Sequence, residues 1–163
     1  NSIFLISINK VVAPRFAKSY ASGNKADFID DLKLSIKLIL LVSVPLFLGI
    51  LFGAEFLLSL FGVQYIHGTA ALVILAFGQL FSSVVGPVGM LLTMTGGEKY
   101  YRNYTLFSLC ISLVLGSFLI PIYGVEGAAF MFGINLILVN LLSWNKVRIL
   151  LEVNTLKLIW TKE

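Results

Sequence analysis

The chain has 163 residues and a net charge of +4, with 12% charged against 58% hydrophobic residues and a mean hydropathy of +0.96. Average soluble domains are about one quarter charged, and one core of this size cannot hide so much apolar surface, which excludes a water-soluble globular domain. The pI of about 9.3 does not indicate nucleic acid, because the basic residues flank apolar runs instead of forming one polar face.

Residues 3–13 are apolar but contain Lys10, and they fall short of the roughly 20 residues that cross a bilayer. They lack a basic leader and a small-residue cleavage site. They read as the end of a truncated helix over residues 1–17, so the chain is expected to be a fragment of a longer protein. A polar loop follows at 19–31, with a turn at Gly23-Asn24. Asp27, Asp30 and Asp31 stand where negative charge suits the start of a helix.

Four full spans are predicted next, over residues 34–53, 70–95, 103–120 and 127–143. Residues 56–97, 103–125 and 127–145 contain no Asp, Glu, Lys or Arg. Runs this long and continuous favour helices over the alternating ten-residue segments of an outer-membrane barrel. The first span holds Val44-Pro45 and the second Gly86-Pro87-Val88-Gly89. The third is expected to stop at Pro121, which removes a backbone donor. Between the first two spans, Gly62 and Gly68 punctuate a segment whose start extends the first helix. Residues 145–163 mix Lys146, Arg148, Lys157 and Lys162 with apolar residues and Trp160, the pattern of an amphipathic helix in the interface. The fold class is all-α: a polytopic transmembrane helix bundle with four full spans, a truncated N-terminal helix and a C-terminal interfacial helix.

The charges orient the spans. Arg15, Lys18, Lys25, Lys33 and Lys37 precede or begin the first span, Lys99 and Arg102 separate the second from the third, and Lys146 and Arg148 follow the fourth. The connections around 55–67 and 121–126 carry no Lys or Arg. Basic residues stay on the cytoplasmic side, which places the chain in the cytoplasmic membrane with both ends inside the cell.

No catalytic constellation is visible. His67 is the single histidine and has no partner at metal-ligand spacing; Gly96-Gly97-Glu98-Lys99 is a plain turn and not a phosphate-binding loop. Cys110 lies inside an apolar run, so there is no disulfide framework. The expectation is no enzyme, no cofactor, no metal and no nucleic-acid partner. The second, third and fourth spans also lack the carboxylate that ion-coupled carriers keep at membrane depth. Their polar residues, among them Gln79, Ser82, Ser83, Ser108, Ser112, Asn135 and Asn140, suit interhelical hydrogen bonds or a wetted cavity for neutral sugars. Gln79 and Asn135 are the candidate substrate contacts within the spans. Lys10 and Arg15, cations beside apolar segments, are candidates for holding a pyrophosphate, against the plainer role of contacting membrane lipid headgroups. Pro45, Gly86 and Pro87 are candidate kink or gating positions. Gly124, Gly127, Ala128, Ala129 and Gly133 allow close packing at the start of the fourth span.

Four segments in order carry a family resemblance. VAPRFAKSYASGNKADF at residues 12–28, LLSLFGVQY at 57–65, LTMTG at 92–96 and IPIYGVEGAA at 120–129 resemble the corresponding loops and turns of polysaccharide biosynthesis proteins. These are the lipid-linked oligosaccharide flippases of the multidrug/oligosaccharidyl-lipid/polysaccharide exporter superfamily. The resemblance covers nearly the whole chain and implies the C-terminal lobe of a two-lobe transporter, whose N-terminal lobe is missing here. The implied substrate is an isoprenoid-diphosphate-linked oligosaccharide, of the kind used for polysaccharide, lipopolysaccharide or O-antigen synthesis, turned across the membrane by alternating access. Two alternatives stand beside it: a drug or cation antiporter of the same superfamily, and a non-transporting membrane subunit.

Overall fold

The computed structural model describes residue 18, residues 25–151 and residues 153 and 155. The helix end expected over 1–17, with Lys10 and Arg15, lies outside the described residues, as does nearly all of the tail beyond 151.

Among the described residues the chain is entirely helical. Helix α1 runs Lys25–Ser59 and a short 3₁₀ helix Val63–Gly68; α2 runs Thr69–Val85, α3 Val88–Met94 and α4 Glu98–Leu151. Three helical stretches are long and apolar enough to cross a membrane, namely Lys25–Ser59, Val63–Val85 and Glu98–Leu151. The last is two antiparallel arms, residues 98–123 and 125–151, folded at Gly124, whose φ of 56° and ψ of −126° leave the helical region. The helix therefore carries through Pro121 and turns three residues later. Pro121 sits in the final turn of the first arm, where it removes one intrahelical donor without redirecting the chain, and Gly124 supplies the positive φ that the reversal needs.

One face of α1 is buried, through Phe28, Leu32, Ser35, Ile36, Ile39, Ser43 and Phe47, the three-and-four spacing of a single helical stripe. The other face is equally apolar but exposed, with Leu34, Leu38, Leu41, Val44, Leu48 and Phe52. A helix apolar on all sides belongs in lipid. The arms of α4 follow a membrane pattern too. Ser108, Ser112, Gly116, Gly127, Ala129 and Gly133 face inward, while Leu106, Leu113, Val114, Phe118 and Phe130 face outward. Lipid supplies no hydrophobic drive between helices, so small residues that permit close approach hold the seam.

That approach is tight at several points. A Cβ on Gly116 would fall 2.6 Å from Met131 Sδ, and one on Gly127 would collide with the Leu119 carbonyl oxygen. Helix α2 crosses the second arm where a Cβ on Gly78 would lie 3.2 Å from Gly133 Cα. Helix α1 meets α2 through an edge-to-face pair, Phe47 and Phe77, with centroids 4.8 Å apart, and through a 2.9 Å hydrogen bond between the hydroxyls of Ser43 and Ser83.

A large apolar cluster joins Phe28, Leu32 and Ile36 of α1 to Val85, Val88, Leu91 and Leu92 around the α2–α3 junction and to Val147 of the second arm. It fixes which ends of the helices lie together. Lys25, Lys33, Lys37, Lys99, Arg102, Lys146 and Arg148 all fall at this end, whereas Glu55, His67 and Glu126 fall toward the opposite end, which has no Lys or Arg among the described residues. Lys146 also ties the two arms of α4 together, with its Nζ 3.9 Å from the Tyr100 ring centroid, a cation–π contact of about 0.5–1 kcal/mol.

Candidate functional site, a neutral cavity at the broken helix

Helix α2 ends because the sequence cannot continue it. Pro87 has no N–H for the Ser83 carbonyl, and the Val88 N–H turns to the Gly86 oxygen at 2.8 Å. Gly86 takes φ 87° and ψ −168°, a region open essentially to glycine alone. A Cβ there would also lie 3.2 Å from Ile36 Cγ1. The break frees carbonyls at the end of α2, and one of them, Val85 O, accepts a 3.0 Å hydrogen bond from the buried Thr155 hydroxyl. Helix α1, by contrast, runs unbroken through Pro45.

Beside the break is a cavity of about 310 Å³. Ile39 of α1 forms one wall; Ser82, Ser83, Gly86 and Pro87 of the break form the second, with Gly89 and Met90 of α3. Tyr101 and Thr105 contribute from the first arm of α4, and Asn135, Leu136, Val139 and Asn140 from the second. The arm-two residues are two pairs one turn apart, 135 with 139 and 136 with 140, so adjoining faces of one helix supply the two amides. Among the described residues, no carboxylate, ammonium, guanidinium or imidazole group lines the cavity.

Hydrogen bonds hold each amide by one end. Asn135 Oδ1 accepts from Ser108 Oγ at 3.1 Å, while Asn140 Nδ2 donates to Ser82 Oγ at 3.1 Å and to the Leu136 carbonyl at 2.8 Å. Asn135 Nδ2, Asn140 Oδ1 and the Tyr101 hydroxyl have no such partner among the described residues. They are not sealed from solvent either, since the buried unpaired polar atoms are Ser112 Oγ, Ser143 Oγ and Trp144 Nε1. The cavity thus offers a fixed, uncharged set of donors and acceptors.

Of the candidate contact and kink residues read from the sequence, Asn135, Gly86 and Pro87 meet at this cavity, joined by Ser82, Ser83, Gly89 and Asn140. Gln79 stands one turn before Ser83, whose hydroxyl donates to the Gln79 carbonyl at 2.9 Å, and its side chain is not part of the lining. Pro45 is exposed on α1, away from it. Tyr101 escaped the sequence reading, and Gly89 entered it only as part of the Gly86–Gly89 break. Tyr101 sits in the Lys99–Arg102 connector, which reads as topology. The available signal was Gly89 itself: a Cβ there would fall 2.8 Å from Tyr101 Cε2, so the missing side chain makes room for the ring.

An all-helical bundle with lipid-facing apolar surfaces, small-residue seams and a polar cavity at a broken helix is a multi-pass membrane protein. The family model "Lipid II flippase MurJ" matches residues 1–144, and the chain belongs to that family. It is also 35% identical over 136 residues to "Capsular polysaccharide biosynthesis protein CapF" of Staphylococcus aureus, a match covering 78% of this chain and 32% of that protein. The chain therefore spans about a third of the length of this curated relative. No solved structure matches it.

Proposed function

We propose that the chain is one lobe of a flippase that turns an isoprenoid-diphosphate-linked oligosaccharide from the cytoplasmic to the outer leaflet by alternating access. The family match over residues 1–144 carries this reading, because it takes in every residue lining the cavity. The similarity to a capsular polysaccharide protein supports a saccharide on the lipid. A diphosphate and many hydroxyls cannot cross hydrocarbon alone, each unsatisfied polar group costing several kcal/mol. A second lobe completes the cleft that shelters the head, and carriage of this kind involves no catalytic group.

The cation-bearing end of the bundle belongs in the cytoplasm of the cell's inner membrane, and both termini of the chain lie there. Lys10, Arg15, Gln79 and Asn135 are the proposed substrate contacts, and Pro45, Gly86 and Pro87 the proposed points of bending. An antiporter of the wider superfamily needs a carboxylate at depth. The acidic side chains of the described helices, such as Glu55, Glu98 and Glu126, fall at span ends, so such a carboxylate would have to lie in the other lobe, and a buried one there would favour the antiporter.

The test is reconstitution of the full-length protein in liposomes with a fluorescent polyprenyl-diphosphate oligosaccharide. Protein-dependent loss of protection from an external quencher supports the reading. Equal protection with and without protein overturns it.

A further inference from the structure

The cavity at the α2–α3 break has a chemistry narrower than that of the whole substrate. We propose that it is a subsite for one neutral, hydroxyl-bearing sugar ring of the lipid-linked substrate, and that the diphosphate is held elsewhere. The proposal rests on the flippase reading and adds to it a division of the substrate between two places.

Three observations carry it. The volume of about 310 Å³ lies at the lower end of the range for small-molecule sites, room for a single ring but not for an oligosaccharide. The described lining residues include no cation, and a diphosphate set against them would be desolvated without compensation, whereas hydroxyls are satisfied by neutral partners. The amides are also set in advance. Ser108 pins the oxygen of Asn135, and Ser82 with the Leu136 carbonyl pins the nitrogen of Asn140, leaving one donor and one acceptor unpartnered. A hydroxyl both donates and accepts, which makes it the complement to that pair. The unpaired Tyr101 hydroxyl adds a third contact on the facing arm, with its ring seated against Gly89. Groups held this way lose little freedom when a ligand arrives.

The experiment uses the full-length protein in nanodiscs and two probes: a polyprenyl diphosphate carrying one N-acetylhexosamine, and the same polyprenyl diphosphate without sugar. Binding is measured for the wild type, for Asn135→Leu combined with Asn140→Leu, and for Tyr101→Phe, which removes one oxygen and keeps the packing. The double variant is expected to bind the glycosylated probe roughly tenfold more weakly, the loss of two ordinary hydrogen bonds, with the bare diphosphate unchanged within twofold. Tyr101→Phe is expected to show the same selectivity at a few-fold. Equal weakening for both probes, or unchanged binding of the glycosylated one by all variants, overturns the subsite and leaves the flippase standing. A wild type that binds neither probe overturns the flippase reading and the subsite with it.

Discussion

The two ends of this bundle are built on different principles. At the cation-bearing end, Leu32, Leu91 and Val147 are fully buried, in a cluster that would pass for the core of a soluble domain. At the other end Phe52 is 84% exposed, Phe61 77% and Ile122 72%, and contact is made by glycines and backbone around the Gly124 reversal. In water the second end would be a large apolar patch of the kind soluble monomers avoid. In a bilayer it is ordinary, because lipid covers it. The contrast teaches where specificity resides: in side-chain volume at one end, and in the absence of side chains at the other.

The sharpest way to break the comparison is topological. In a full-length protein with Cys110 replaced by Ser, a cysteine at Lys99 should react with an impermeant maleimide only after the cells are opened, and one at Glu126 in intact cells. Labelling of both from one side would mean that the ends do not face opposite compartments. Next in size, Leu91→Ala should lower unfolding stability in mild detergent by about 2–4 kcal/mol, whereas Phe52→Ala should change it by less than about 0.5 kcal/mol. Comparable losses would show the two ends to be packed alike. Gly127→Ala should cost about 1–3 kcal/mol, since its methyl meets the Leu119 backbone, which has nowhere to go. A neutral result in the same denaturation assay would mean that the hairpin is looser than its geometry. The smallest effect belongs to the link between the ends: Ser43→Ala removes the hydroxyl contact with Ser83, worth roughly 0.6 kcal/mol by comparison with interhelical hydrogen bonds in membranes.

The sequence announces some of this and conceals the rest, for physical reasons. Composition and uninterrupted apolar runs identify the solvent, and with it the all-helical membrane class. Gly86-Pro87 announces a broken helix because both residues act on the local backbone. The connection over residues 121–126 was legible, but not the residue that makes it: Pro121 removes a hydrogen bond without redirecting the chain, while Gly124 takes the positive φ. Ser108 with Asn135, and Ser82 with Asn140, were legible as polar residues among apolar ones, but not as pairs. Their pairing depends on the antiparallel register of helices distant in sequence, which no local pattern encodes. Tyr101 was hidden because an aromatic residue among cations reads as interfacial, and only the tertiary position of Gly89 turns it inward.

The bond from Thr155 to the Val85 carbonyl has a bearing on biogenesis. Its partners are 70 residues apart, which at about 5–20 residues per second of synthesis separates their emergence from the ribosome by roughly 4–14 seconds. During that interval the ruptured helix already sits in or near the insertion machinery with an acceptor that its own ladder does not satisfy. Water or the translocon must serve it until residue 155 arrives, so the fracture closes only after the second arm of α4 has been made.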